Sequence, residues 1–225
     1  MSQVRTNQAG FTIVELLIAT SILSVILLMV TLVTQGIGIL YAKGISQSQI
    51  QNDVRSIADD ISQQVKVYNH DKQTAGPAVD GTTALCIGTV RYTYVIGKQI
   101  GTDSTHVLWR DTIDPSSGCT ATAGFLSSAT PSSGGTELIA PHSRLEALNL
   151  VGSTSPYGVQ VAVVYGDIDL LCDGGVSNDC KSTTNTTHLT SPSSYNAIRC
   201  KDVSSGRQFC AAAYLSTTVV KRLQG

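Results

Sequence analysis

Residues 16–33 are almost all apolar or carry a small hydroxyl, and no charged side chain occurs between Glu15 and Lys43. A helix through this run rises about 1.5 Å per residue and spans the roughly 30 Å hydrocarbon core of a bilayer. The hydroxyls of Thr20, Ser21, Ser24, Thr31 and Thr34 can bond back to helix carbonyls, so they cost little in lipid. Glu15 is the odd member, because a carboxylate at the edge of a membrane span is expensive and implies a partner. After Gly44 the pattern changes. Ile45 is followed by Ile50, Val54, Ile57, Ile61, Val65 and Tyr68, which from Ile50 recur at steps of 4, 3, 4, 4 and 3. That is the period of an amphipathic helix, predicted over 45–70, with Asp53, Arg55, Asp59, Asp60 and Lys66 on its wet face. Its end is expected at 68–71, ahead of Gly76 and Pro77. Gly36, Gly38 and Gly44 sit where membrane helix becomes domain helix. They mark either a point of bending or melting or a close approach of neighbouring helices.

Beyond the helix the pattern is that of strands. Residues 85–87 and 90–96 read as one strand or a broken pair, and 106–110 as the next. Residues 97–104 supply the turn of a hairpin between them. Residues 114–136 read as a long loop rich in Ser, Thr, Gly and Pro. Residues 145–151 and 159–165 form the next two strands, parted by a turn at 152–158. Residues 173–197 read as loop, and 208–220 as a terminal strand or pair of strands. A long N-terminal helix on an antiparallel sheet is an α+β arrangement.

The chain has 225 residues and a formal net charge of −1, so no long-range field points to nucleic acid or an acidic substrate. The six cysteines, Cys86, Cys119, Cys172, Cys180, Cys200 and Cys210, all follow the apolar run. An even count on one side of a span reads as disulfides in an oxidising space. Zinc is disfavoured, since no C-x-x-C pair occurs and the histidines are scattered. Six cysteines allow 15 connectivities. Nearness in sequence favours Cys172 with Cys180 and Cys200 with Cys210, which leaves Cys86 with Cys119.

The stretch Gly10-Phe11-Thr12-Ile13-Val14-Glu15-Leu16, set directly before the apolar run, resembles the processing signal of type IV pilins and pseudopilins. A plain secretory signal would place its cleavage site after the apolar run, and no such site is visible there. A plain membrane anchor explains neither Glu15 nor the Gly-Phe junction. The resemblance implies a leader of residues 1–10, a transmembrane and assembly helix of 11–42 and an extracytoplasmic domain of 43–225 with disulfide-stapled loops. It implies cleavage between Gly10 and Phe11 by a prepilin peptidase, N-methylation of Phe11, and pairing of Glu15 with the α-amine of a neighbouring pilin or pseudopilin. It places the subunit in the inner or cytoplasmic membrane before assembly and in a surface pilus or periplasmic pseudopilus afterwards. A cytoplasmic N-terminus follows from the resemblance more than from charge, because Arg5 is the only basic residue of the leader and Lys43 lies beyond the span. Residues 51–55, 90–94, 107–110 and 144–150, with a late apolar strand ending Lys221-Arg222, are similar in order to the larger W-type minor pilins and the J-type minor pseudopilins. On that resemblance the chain is a structural minor pilus subunit, with a type II secretion pseudopilin or a DNA-uptake pilin as alternatives.

Asp167, Asp169, Asp173 and Asp179 offer hard oxygen ligands of the kind calcium takes, but no Glu closes the loop as in an EF-hand. A solvated acidic loop is the expectation, and no cofactor is assigned. Asn185-Thr186-Thr187 forms a sequon read as a loop accident. Tyr92, Tyr94 and Trp109 are explained by core packing. No nucleophile elbow, Walker motif, H-E-x-x-H or G-x-G-x-x-G occurs, so an enzyme is not expected. Basic residues are scattered, which makes nucleic acid an unlikely partner.

Overall fold

The computed structural model describes residues 10–68, 73–75, 81–114, 116, 118–128, 130–132, 134–152, 156–166, 170–173, 198–201 and 209–220. The chain divides into two compact units, Met1–Tyr41 and Ala42–Gly225. A single α-helix, α1 (Ile13–Val67), contributes to both. It ends at Val67, one turn short of the outer limit expected, and helical geometry runs unbroken through Gly36, Gly38 and Gly44.

In the first unit the apolar side chains of α1 are exposed, as in Leu17, Ile26 and Leu32. The hydroxyls behave as their chemistry requires. Thr20 bonds to the Leu17 carbonyl at 3.0 Å, Ser21 to Ile18 at 2.8 Å and Ser24 to Ser21 at 2.7 Å. Thr31 and Thr34 each reach two carbonyls of the preceding turn, within 2.8–3.0 Å. No hydroxyl of this set is left to face lipid without an acceptor.

In the second unit α1 buries Ile50, Val54, Ile57, Ile61 and Val65, the stripe its periodicity predicts. Ile45 stands outside that stripe, 49 % exposed. The strands are β1 (Gln73–Ala75), β2 (Thr83–Ile87), β3 (Val90–Tyr94), β4 (Leu108–Thr112), β5 (Thr136–Glu137), β6 (Ser143–Val151), β7 (Tyr157–Tyr165), β8 (Leu171–Asp173), β9 (Ile198–Cys200) and β10 (Ala211–Val219). Among the described residues they form three antiparallel sheets, ordered β1-β2-β3-β4-β5, β10-β7-β6 and β8-β9, rather than the one sheet expected. β1, β8 and β9 fall in or beside stretches read as loop, being too short to show alternation. Of the stretch 208–220, the described residues 209–220 hold one terminal strand, not a pair.

The helix stripe shares one core with both larger sheets, through Leu85, Ile87, Tyr92 and Leu108 on one and Leu145, Leu148, Val159, Val161 and Val163 on the other. Two helix carboxylates, Asp60 and Asp53, tie the helix to the sheets. Tyr92 donates its hydroxyl to Asp60 at 2.7 Å, and Arg110 Nε lies 3.0 Å from the same oxygen without hydrogen-bond alignment. The Ala140 N–H reaches Asp53 at 3.4 Å. Asp53 and Asp60 are therefore half-buried anchors, not members of a wet face. Burial raises the Asp53 carboxyl above its ordinary pKa, against the lowering effect of the Ala140 N–H.

The two larger sheets meet along residues 97–100, expected to be turn alone. The Gly97 N–H donates to the Leu145 carbonyl at 2.9 Å, and the Ile100 N–H to Ser143 at 3.0 Å. Within residues 118–128 and 130–132, Phe125 joins Val95 and Trp109 in a separate, smaller apolar cluster. A polar network pins this segment. Arg91 grips Asp111 with both ends of its fork, at 2.8 and 2.6 Å, while Thr122 and Ser132 donate to the same carboxylate at 3.2 and 2.6 Å. Burial alone would raise the Asp111 pKa. Arg91, Ser132 and Thr122 outweigh burial and hold the carboxyl below its ordinary value. The stability this contributes is complete above the unfolded-state pKa, roughly 3.9, and is lost as pH falls through the folded-state value.

Candidate assembly site at the start of the helix

Gly10 and Phe11 precede the first helical residue, and Phe11 is 88 % exposed. A Cβ built on Gly10 would meet nothing within 4 Å. Thr12 is the helix N-cap. Its carbonyl accepts from the Leu16 N–H at 3.2 Å, and its hydroxyl accepts from the Glu15 N–H at 3.3 Å. Glu15 answers in the other direction. Its Oε2 accepts from the Thr12 N–H and the Thr12 hydroxyl, both at 2.9 Å.

This reciprocal arrangement is a capping box, which satisfies helix-end donors that the chain itself cannot. It was legible as T-x-x-E ahead of an apolar run, yet the sequence reading assigned Thr12 no role. The box has a consequence for Glu15. Both of its intramolecular bonds fall on Oε2, and among the described residues no hydrogen bond engages Oε1. The carboxylate is held against the first turn, on the N-terminal side, beside Phe11. It also adds negative charge at the positive end of the helix dipole. Thr12→Ala removes half the box and should destabilise the first turn by about 1 kcal/mol. Amide hydrogen exchange in detergent should then speed up over residues 13–16 and stay unchanged beyond residue 20.

The apolar core of the run that follows is not buried within the chain. It is one helix long and apolar enough to cross a membrane. Residues 5–31 match the model of the prokaryotic N-terminal methylation motif. The chain carries that motif. It takes in the Gly10-Phe11 junction, the Thr12–Glu15 box and most of the apolar run, and it supports a type IV pilin-like or pseudopilin-like class. No curated protein and no solved structure matches the chain. The motif ends inside α1, so the second unit rests on its own geometry.

In that domain Cys86 is bonded to Cys119 and Cys200 to Cys210. Nearness in sequence favours Cys200 with Cys210, and Cys86 with Cys119 is the pair it leaves over. Cys172 is also disulfide-bonded, and its expected partner Cys180 lies outside the described residues. So do Asp167, Asp169, Asp179 and the Asn185 sequon; of Asp173 only the backbone, at the end of β8, is described. Tyr92, Tyr94 and Trp109 are buried, as packing requires. Each also places its polar atom, Tyr92 on Asp60, Tyr94 on the Leu148 carbonyl and Trp109 on Ser132.

Proposed function

We propose that the chain is a structural minor subunit of a type IV pilus or pilus-like fibre, processed by a prepilin peptidase and assembled through α1. The observation that carries this reading is a membrane-length apolar helix opened by a carboxylate whose second oxygen takes no hydrogen bond among the described residues. In the mature subunit Phe11 would bear the new α-amine. That cation, buried among apolar helices, is strongly unfavourable unless paired. Oε1 of a neighbour's Glu15 supplies the acceptor, and pairing there sets the axial register between subunits. Residues 16–40 form the fibre core, and the disulfide-bonded domain faces outward. In this reading the N-terminus is cytoplasmic, the role is structural rather than catalytic, and no cofactor takes part.

The order of helix patch and strands, resembling both W-type minor pilins and J-type minor pseudopilins, supports a second reading as a pseudopilin of type II secretion. Cell fractionation separates the two. A pilus subunit is recovered in fibres sheared from the cell surface. A pseudopilin stays with the envelope, and its deletion blocks release of secreted proteins. Recovery in neither fraction, with secretion intact, would contradict both.

A further inference from the structure

β6 carries two ionisable side chains that the core does not explain. Arg144 is 2 % exposed and Glu146 1 % exposed. Glu146 sits in the β-bulge, where pairing with β7 shifts between Leu145 and Ala147. The bulge lets Leu145 and Leu148 both face the main core and leaves Glu146 as the extra residue. Oε2 of Glu146 is buried with no hydrogen-bond partner, and Nε of Arg144 is buried with none. One is an acceptor and the other a donor, two residues apart on the same strand.

The rest of the Arg144 guanidinium faces the join between the sheets. It donates to the Gly97 carbonyl at 3.4 Å and to Gln99 Oε1 at 3.2 Å. Both are long for bonds from a cation, which typically measure about 2.7–2.9 Å. Gln99 in turn donates from its side-chain amide to the His142 carbonyl at 3.1 Å and from its backbone N–H to the Asp103 carboxylate at 3.0 Å. His142 has a positive φ of 62°, a conformation that a non-glycine residue holds only when its surroundings enforce it. Ile100, Asp103, Pro141 and His142 line an open cleft of about 600 Å³ beside this join. The backbone of that cleft is therefore tethered through Gln99 to Arg144.

We propose that Arg144 is a two-position latch set by Glu146. With Glu146 neutral, the guanidinium holds Gly97 and Gln99 and keeps the 97–104 turn on β6. With Glu146 ionised, the guanidinium turns to its carboxylate, and the turn and the cleft wall loosen. Burial raises the Glu146 pKa to about 7, and the positive charge of Arg144 acts against that rise. Arg144 is the one charge acting on Glu146 among the described residues. The facing residues of β7, Ala162 and Val163, and the facing Gly97 and Gln99 are uncharged.

The sign follows from that direction. A carboxyl whose folded-state pKa is raised favours folding while protonated, so the latch is closed below the folded value and opens as pH rises through it. One pH unit above the midpoint about nine in ten carboxyls are ionised. Amide hydrogen exchange of the full chain in detergent, at pH 5.5 and 8.0 and corrected for intrinsic rates, tests this. Protection at residues 97–104 should fall roughly tenfold at the higher pH, while the β6–β7 amides at 159–163 hold. Glu146→Gln should keep the turn protected at both pH values, and Arg144→Met should leave it unprotected at both. Equal protection of the wild-type turn at the two pH values would overturn the latch, whether or not either variant folds. So would a fall that persists in Glu146→Gln.

Discussion

Glu15→Ala should be cleaved and methylated like the wild type and yet be absent from assembled fibres. Removing the carboxylate leaves the α-amine of the adjacent subunit without its counter-charge in an apolar bundle. At the centre of a span an unpaired charge costs about 2.5–3.5 kcal/mol on insertion scales, which is the upper bound for this site at the end of the run. A deficit of that size shifts an assembly equilibrium by roughly a hundredfold. Loss of the capping box contributes as well, because Oε2 accepts two bonds from Thr12. Glu15→Gln separates the two effects. It keeps an acceptor for Thr12 and discards the charge, so it should preserve the first helical turn and still fail to assemble. The ratio of sheared-fibre to membrane signal on an immunoblot, measured for both variants, checks this. Assembly of Glu15→Gln at wild-type levels would assign the residue to helix capping alone.

Loss of the Cys86–Cys119 bridge should cost more stability than loss of Cys200–Cys210. The first closes a sequence separation of 33 and the second one of 10. In the chain-entropy account these correspond to about 4 and about 3 kcal/mol. The longer bridge also ties residues 118–132 to β2, next to the buried Arg91–Asp111 pair and the Val95–Trp109–Phe125 cluster. Cys86→Ser with Cys119→Ser should therefore lower the denaturation midpoint and also quicken exchange at residues 120–128. Cys200→Ser with Cys210→Ser should leave residues 120–128 protected. A larger loss from the shorter bridge would show that residues 118–132 are held by the polar network and apolar cluster alone.

Much of the fold was legible because its signals are periodic. The steps of 3 and 4 from Ile50 to Val65 reproduced the buried face of α1, and the strand patterns located β2–β4, β6, β7 and β10. What stayed hidden was set by partners distant in sequence. Nothing near Asp60 announces that Tyr92, 32 residues on, will bind it. The division into separate sheets and the join at residues 97–100 depend on backbone bonds between Gly97 or Ile100 and β6, which carry no residue signature. The bulge at Glu146 was masked because one extra residue breaks the alternation that a strand is read by. At the assembly site Gly10, Phe11 and Glu15 were read from the motif. Thr12 was passed over, although its spacing to Glu15 is a local signal.

Intact-mass and N-terminal analysis of the protein from its native membrane tests the assembly account most directly. A chain beginning at Phe11 with one added methyl group is the predicted result. A chain that still begins at Met1 or Ser2, in cells that hold an active prepilin peptidase, would contradict it and leave a plain membrane-anchored domain.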